Sequence, residues 1–447
     1  MPLNILVPNS PAHLPRPASV RTRAAIVAIA VIAGLACAAH AQTAQFFPLS
    51  DRLQDPRIQG SWAYGLNSDG TIIVGAAYVR SPQSPFEHRA AVWRFPAGGE
   101  PSLPESLQGD DNFATAAVAV SDDGDKVVGS AGLFLEYFDG RHYDPRNAFY
   151  WWGLNSGSPE VAIVNNVLEF HDIAADGSVA VGQLRLTDWP EPLPTFAFEW
   201  RGPGTPFLQL PTPGWASGAY SLTSDGRASV GYFGNPDAGA INGAIWTRAG
   251  IAPIPGFPPS RWHEAHAISG NGRWITGPTD PDGFLWGESA DITVVAQLPG
   301  SGWLRPSAVA NDGRTIIGEC VTDTGEAWIH DAIIWHPTDA AGSRRLSDEL
   351  TERGVDLTGW TLLNATAMSD DGSVIVGYAI NPTQGRQAFA VRLCRADFDR
   401  NGQADFFDYL DFVSAFASED PAADFDGNGQ VDFFDYLDFA ATFGAGC

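Results

Sequence analysis

The chain has 447 residues, and 52 Asp and Glu against 26 Lys and Arg leave a formal charge of −26 with histidine neutral. A surface this acidic repels phosphate backbones, which excludes a nucleic-acid binder. The single lysine, Lys126, lies in GDKVV and not in G-K-[ST], so no P-loop is present. A hydrophobic share of 44% with 48 glycines and 33 prolines describes a turn-rich β-protein of more than one domain.

Residues 1–41 carry Arg16, Arg21 and Arg23 without an acid, then the apolar run AAIVAIAVIAGLACAA at 24–39 and an A-x-A site at Ala39-His40-Ala41. This order is that of a secretory signal peptide cleaved before Gln42. The run is short for a membrane span, and no other stretch approaches spanning length. The mature chain is expected to be exported and to have no membrane span.

From residue 42 to 393 one signature recurs: a short apolar strand, Asp-Gly or Asn-Gly, four residues, then Gly. The turn residues are Asp69, Asp123, Asp176, Asp225, Asn271, Asp312 and Asp371, at intervals of 54, 53, 49, 46, 41 and 59. Asp-Gly between apolar strands predicts a hairpin with a type I′ turn, in which both central residues take positive φ. The later glycines (Gly75, Gly129, Gly182, Gly231, Gly277, Gly318, Gly377) then mark a bulge or a close backbone approach. The turn acids are explained by turn chemistry and are not expected to form a ring of ligands.

A third strand follows each hairpin and ends in Trp93, Trp151, Trp200, Trp246, Trp286 and Trp335, with Val391 in the seventh copy. Regular spacing predicts that these residues pack between neighbouring repeats rather than stack on sugars. Fourth segments follow at 102–107, 207–214, 251–256 and 294–300, and the seventh copy has none. FFPLSDRL at 46–53 resembles RRLSDEL at 344–350, so an N-terminal strand is expected to complete the last repeat. Four strands per copy of about 50 residues, seven copies and an exchanged strand predict an all-β fold, a seven-bladed β-propeller.

The hairpin followed by small-Phe-x-Trp, as in SDDGSVIVGYAINPTQGRQAFAVRL at 369–393, resembles the HAF repeat of bacterial extracellular proteins. The namesake triplet departs to Gln387-Ala388-Phe389 and Asn147-Ala148-Phe149. The resemblance implies secretion and a repeat β-fold, and it supplies no catalytic mechanism.

Residues 394–447 hold twelve acids against Arg395 and Arg400 and repeat with a 27-residue step: DFDRNGQADFFD at 397–408 and DFDGNGQVDFFD at 424–435. Oxygen-bearing side chains at positions 1, 3, 5, 9 and 12 with Gly at 6 have the spacing by which an EF-hand loop wraps one Ca²⁺. The first ligand set is Asp397, Asp399, Asn401, Asp405 and Asp408 with the carbonyl of Gln403. The second is Asp424, Asp426, Asn428, Asp432 and Asp435 with the carbonyl of Gln430, and Gly402 and Gly429 permit the sharp turns. Two Ca²⁺ are expected, because the carboxylates would otherwise converge and repel.

Asp at position 12 and one helix after each loop (406–416 and 433–443) resemble a dockerin, and the flanking Cys394 with the terminal Gly446-Cys447 resembles the GC-type dockerin of exported planctomycete-like proteins. Cys394 and Cys447 bracket the segment and are expected to be bridged, leaving Cys320 as a buried thiol. The resemblance implies a cohesin-like or surface-sorting partner. Phe406-Phe407 and Phe433-Phe434 depart from the small polar residues that cohesin-binding dockerins carry there. These rings are either the core of the tail or a duplicated docking face.

No catalytic signature stands out. His263-Glu264-Ala265-His266 is not H-E-x-x-H, and no G-x-S-x-G occurs. The reading is a secreted, non-catalytic propeller with an unidentified ligand, attached through a calcium-binding tail. The alternative is a dockerin-borne polysaccharide-active enzyme, whose acid pairs a propeller would assemble from different blades.

Overall fold

The computed structural model describes residues 43–49, 58–79, 87–96, 113–135, 142–156, 160–165, 167–185, 195–235, 239–287, 291–337, 342–381, 385–428 and 430–446. The expected signal segment, the fourth segment at 102–107, Gly429 and Cys447 lie outside the described residues.

Seven antiparallel sheets follow one another along the chain, each beginning with the strand that precedes a repeat turn. Six sheets have four strands and the first has three among the described residues. The last sheet contains Thr361–Met368, Val374–Asn381 and Gly385–Leu393, and its fourth strand is Ala44–Pro48 from the start of the chain. Phe46 stands opposite Val391 and Pro48 opposite Phe389. The exchanged strand read from 46–53 therefore closes the ring. The segment it was compared with behaves differently: only Arg344–Arg345 is a strand, and Leu346–Glu352 forms helix α1.

The turns correct the type I′ expectation. Only the glycine takes positive φ, from 65° at Gly226 to 78° at Gly272, and none of the seven Asp or Asn residues does. Each glycine N–H instead donates to the carbonyl three residues earlier, as from Gly70 to Asn67 at 2.9 Å. The turn acid accepts the N–H two residues on, at 2.9 Å from Thr71 to Asp69 and 2.8 Å from Arg314 to Asp312. The carboxylate thus does part of the work that a second positive φ would have done.

The turns also join one another around one end of the propeller. Ser68 N–H donates to Asp122, Asp122 to Ala175, Ala175 to Ser224 and Ser224 to Gly270. Asn271 donates to Asn311, Asn311 to Asp370, and Asp370 back to Ser68, which completes a circuit through all seven blades.

The second glycine of each repeat is required by contact. A Cβ there would fall between 1.9 and 2.2 Å from a carbonyl oxygen of the inner strand, as at Gly231 against Gly218 (1.9 Å) and Gly318 against Arg305 (2.2 Å). Six of the seven first hairpins also slip register beside it, for example between Ala63 and Gly65 opposite Gly75. Bulge and close approach occur together.

The regularly spaced tryptophans pack between blades as expected. Trp93 meets Val374, Val376 and Ala390 of the last blade, and Trp151 meets Ile72, Val74 and Val92 of the first. Trp200, Trp246 and Trp335 each pack on the blade before their own, and Val391 does the same against Ile317 and Ile334. Trp286 is only partly buried, against Val230. Removing a ring of this size from such a site costs about 3–5 kcal/mol.

After the ring closes, the chain forms helices α2 (Phe406–Ala417) and α3 (Phe433–Ala445), each within two residues of its expected end. Their core is a stack of Phe412 on Phe439, centroids 3.9 Å apart and nearly parallel, surrounded by Tyr409, Phe425 and Phe443.

Candidate metal centre

Each tail loop folds by short-range hydrogen bonds that its own sequence dictates. Asn401 N–H donates to Asp399 and Gln403 N–H to Asn401, both at 2.9 Å, so alternate side chains turn inward. Gly402, at φ 88°, lets the loop reverse, and its N–H donates to Asp397 at 3.1 Å. Asp405 then caps α2 by accepting from Phe407 N–H (2.7 Å), while Asp408 accepts from Asp405 N–H (2.7 Å) and Asp399 N–H (3.0 Å). The second loop repeats this through Asp426, Asn428, Asp432 and Asp435.

The result is two groups of carboxylates, Asp397 with Asp399 and Asp408, and Asp424 with Asp426 and Asp435. Within each group, one oxygen per residue lies within 4.8 Å of the others. These are loop positions 1, 3 and 12. Asn401 and Asn428 instead bond the position-3 acid through their amides, at 2.8 and 2.7 Å. The donor set suits a hard cation: every ligand is oxygen and the charge is negative. Asp397 carries the clearest sign, since its Oδ1 is buried without a hydrogen-bond partner. Burial pushes its carboxyl up to about 6 against the pull of Arg353, and Asp408 and Asp399 push the same way. Burial also raises Asp408. A divalent cation would relieve both effects.

The loops face the turn end of the propeller. Arg353, just after α1, donates to Asp397 Oδ2 at 2.5 Å and to Glu349 at 2.8 Å, all three side chains being buried. Asn271 of the fifth-blade turn donates to the carbonyl of Gly427 at 2.6 Å, and Arg273 lies 3.5 Å from Asp424. Thr43 donates to the carbonyl of Gly402 at 2.8 Å. Sequence reading gave the loops without these partners, because nothing in a loop motif names the surface it rests on.

The paired phenylalanines do not take the first of the two readings. Phe407 is 65% exposed and Phe434 64%, with Phe406 at 40% and Phe433 at 50%. They are not the core of the tail; the buried rings lie one to three turns further along α2 and α3. Leu410 and Leu437 are exposed beside them, so the duplication produces two matching apolar ridges. Cys320 is a buried free thiol; Cys394 is not a free thiol.

The propeller has its own polar cavity of about 210 Å³, along the channel lined by the inner strands. Five residues before each turn acid stand Tyr64, Val118, His171, Tyr220, His266, Ser307 and Thr366. His171 lies 3.3 Å from Glu169 and His266 3.2 Å from Glu264, with the Tyr220 ring edge-on to both imidazoles. Asp172 accepts from Leu222 N–H (2.9 Å) and Ser221 Oγ (3.1 Å), and burial pushes its carboxyl up to about 6. Asp370 is raised to about 6, first by burial, and accepts from Ser224 across the channel end at 3.3 Å. Aligning the repeats on their turns would have found these residues. Ser307 donates to the Ala365 carbonyl at 2.6 Å and Thr366 to the Ala63 carbonyl at 2.9 Å. Among the described residues no helix is long and apolar enough to cross a membrane.

Fold and site together define a seven-bladed β-propeller carrying a small helical tail with two acidic loops. No family model matches the chain, and no curated protein matches it. Among solved structures, the β-propeller domain of the Trilobed protease from Pyrococcus furiosus is similar at 10% identity and a TM-score of 0.49, over 75% of this chain and 94% of that one. TolB from Acinetobacter baumannii is similar at 14% identity and a TM-score of 0.41, over 62% of this chain and 63% of that one. The acylaminoacyl peptidase of Pyrococcus horikoshii is similar at 8% and 0.48, over 76% and 52%. The match spans less than two thirds of that TolB and about half of the peptidase. At such identities the likeness concerns the fold alone.

Proposed function

We propose that this protein is a secreted, non-catalytic propeller platform, attached to a surface or extracellular complex by a dockerin-like tail that binds two Ca²⁺. The observation that carries the reading is the pair of converging carboxylate groups, with Asp397 Oδ1 buried and unpartnered in the first. Asp397, Asp399, Asn401, Asp405 and Asp408 with the Gln403 carbonyl would hold one ion. Asp424, Asp426, Asn428, Asp432 and Asp435 with the Gln430 carbonyl would hold the other. The ions supply charge neutralisation that fixes the loops, and hence the helices that start from them.

The exposed Phe406, Phe407, Phe433 and Phe434 then serve as the docking face for a cohesin-like or surface-sorting protein, since large exposed apolar ridges mark interaction sites. Cys394 and Gly446 line one cavity, which favours a disulfide from Cys394 to Cys447. Peptide mass mapping without reductant should recover that pair as one cross-linked species. Secretion through residues 1–41 fits both an oxidised tail and a calcium-rich exterior.

Calorimetric titration of the mature chain with CaCl₂ tests the reading: two ions should bind, and Asp399→Asn with Asp426→Asn should remove both. Absence of calcium binding to the wild type would refute it. Ser307 and Thr366 of the channel donate to the blade carbonyls of Ala365 (2.6 Å) and Ala63 (2.9 Å), a structural use that favours a platform over a polysaccharide-active enzyme. Turnover on a polysaccharide panel that disappears in Glu169→Gln or Glu264→Gln would reverse that preference.

A further inference from the structure

The channel cavity of about 210 Å³ has room for a small molecule; an engineered cavity of about 150 Å³ takes up benzene. Three carboxylates line it, Asp122, Asp172 and Asp370, and among the described residues no arginine or lysine does. Burial lowers the His171 imidazole, so this lining residue brings no positive charge at about pH 7. The negative charge is therefore not balanced within the wall. These acids do not form a metal site either: among the described residues, the groups of three whose ligand atoms converge lie in the tail.

Acids alone do not specify a ligand. The direction of the hydrogen bonds around them does more. Ser221 gives its hydroxyl hydrogen to Asp172 (3.1 Å) and Ser224 gives its own to Asp370 (3.3 Å). Ser307 donates to the carbonyl of Ala365 and Thr366 to that of Ala63. Asn67 spends both amide hydrogens, on Thr71 Oγ1 (3.2 Å) and on the carbonyl of Asp122 (3.1 Å). A hydroxyl has one hydrogen and an amide two, so these five lining side chains can only accept from a molecule in the channel. His266 turns Nε2 to Glu264 at 3.2 Å, which leaves the neutral ring with Nδ1 as an acceptor. The side chains of the wall thus present far more acceptors than free hydrogens.

We propose that the channel binds a small organic ammonium ion, a diamine or an amino sugar, whose N–H groups are taken by the Asp172 and Asp370 carboxylates and the hydroxyl oxygens bonded to them. An ammonium group is a donor only, with three hydrogens, and complements such a wall. Asp172 and Asp370 are both pushed up to about 6, first by burial, as carboxylates without a counter-ion are. The inference gives the propeller platform a ligand and stands whether or not the tail binds calcium.

The intact protein in CaCl₂ at pH 7 and constant ionic strength is titrated calorimetrically with D-glucosamine, putrescine and D-glucose. Glucose has the shape of glucosamine with a hydroxyl in place of the ammonium. One amine per chain is expected, the tighter of the two identifying the class, and glucose should bind at least ten-fold more weakly than that amine. Asp172→Asn and Asp370→Asn keep the shape of the wall without its charge and should each weaken the amine at least ten-fold. Val118→Lys brings a tethered ammonium to the same wall and should abolish binding. Melting of each variant without amine separates loss of binding from loss of fold. Failure of both amines to bind the wild type, glucose binding as tightly as the better amine, or full affinity in folded Asp172→Asn and Asp370→Asn would overturn the proposal.

Discussion

The propeller and the tail use the same residue, aspartate followed closely by glycine, for opposite purposes. In the propeller Asp69, Asp225 and Asp312 each accept a hydrogen bond from an N–H of their own turn, one turn per blade. In the tail Asp397, Asp399 and Asp408 come from three points of one loop and converge. Of the formal charge of −26, about −10 lies in the 54 residues of the tail. Acid content alone says little about metal binding. Carboxylates of both regions accept N–H bonds from their own loop; what distinguishes the tail is that three of them also converge on one point.

Substitutions that separate the two regions should differ in size and in calcium dependence. The largest effect is expected from Gly231→Ala, whose Cβ would lie 1.9 Å from the carbonyl oxygen of Gly218. Loss of about 4 kcal/mol or more, equal with and without calcium, should show in denaturant unfolding of the propeller. Phe439→Ala empties the centre of the tail and should cost about 3–5 kcal/mol there, leaving the propeller transition in place. Asp399→Asn with Asp426→Asn should abolish a calcium-induced stabilisation of roughly 3–4 kcal/mol at several hundred-fold excess over the dissociation constant, read as a melting shift.

Acidification should act on the two regions through different groups. Asp172 and Asp370 hold their protons to a higher pH when folded, about 6 against 3.8. Their contribution to propeller stability is full below about 3.8 and is lost as pH rises through 6. Lowering pH from 7 to 5 should therefore favour folding through these two acids by on the order of 1 kcal/mol, against an opposite contribution from His171, His263 and His336, whose burial lowers their imidazoles; Asp370→Asn should remove part of the favourable contribution. The tail should lose calcium over the same range, because its ligands must be ionised. The smallest effect on folding, within about 0.5 kcal/mol, is expected for Phe407→Ala with Phe434→Ala, which should still abolish partner capture.

The architecture was legible because the repeat states it seven times: turn and glycine recur at fixed spacing, tryptophan closes the third strand in six copies, and the missing last strand reappears at 44–48. The turn type was misread because Asp-Gly fits a type I′ turn and also a turn in which Asp bonds forward and only Gly goes left-handed. Periodicity does not separate these. The tail loops were legible for the same reason as the blades, being local and duplicated. Phe406 and Phe407 were ambiguous because an aromatic pair at a helix start suits a core and a docking face equally. Arg353 on Asp397 and Asn271 on Gly427 join residues 44 and 156 apart, which leaves no local pattern to read.

Hydrogen exchange of the intact protein, with calcium and with chelator, tests the central claim most directly. The account predicts that chelation deprotects 397–446 by several orders of magnitude while the inner strands of the blades exchange as before. Unchanged exchange in the tail, or equal deprotection of tail and blades, would contradict it.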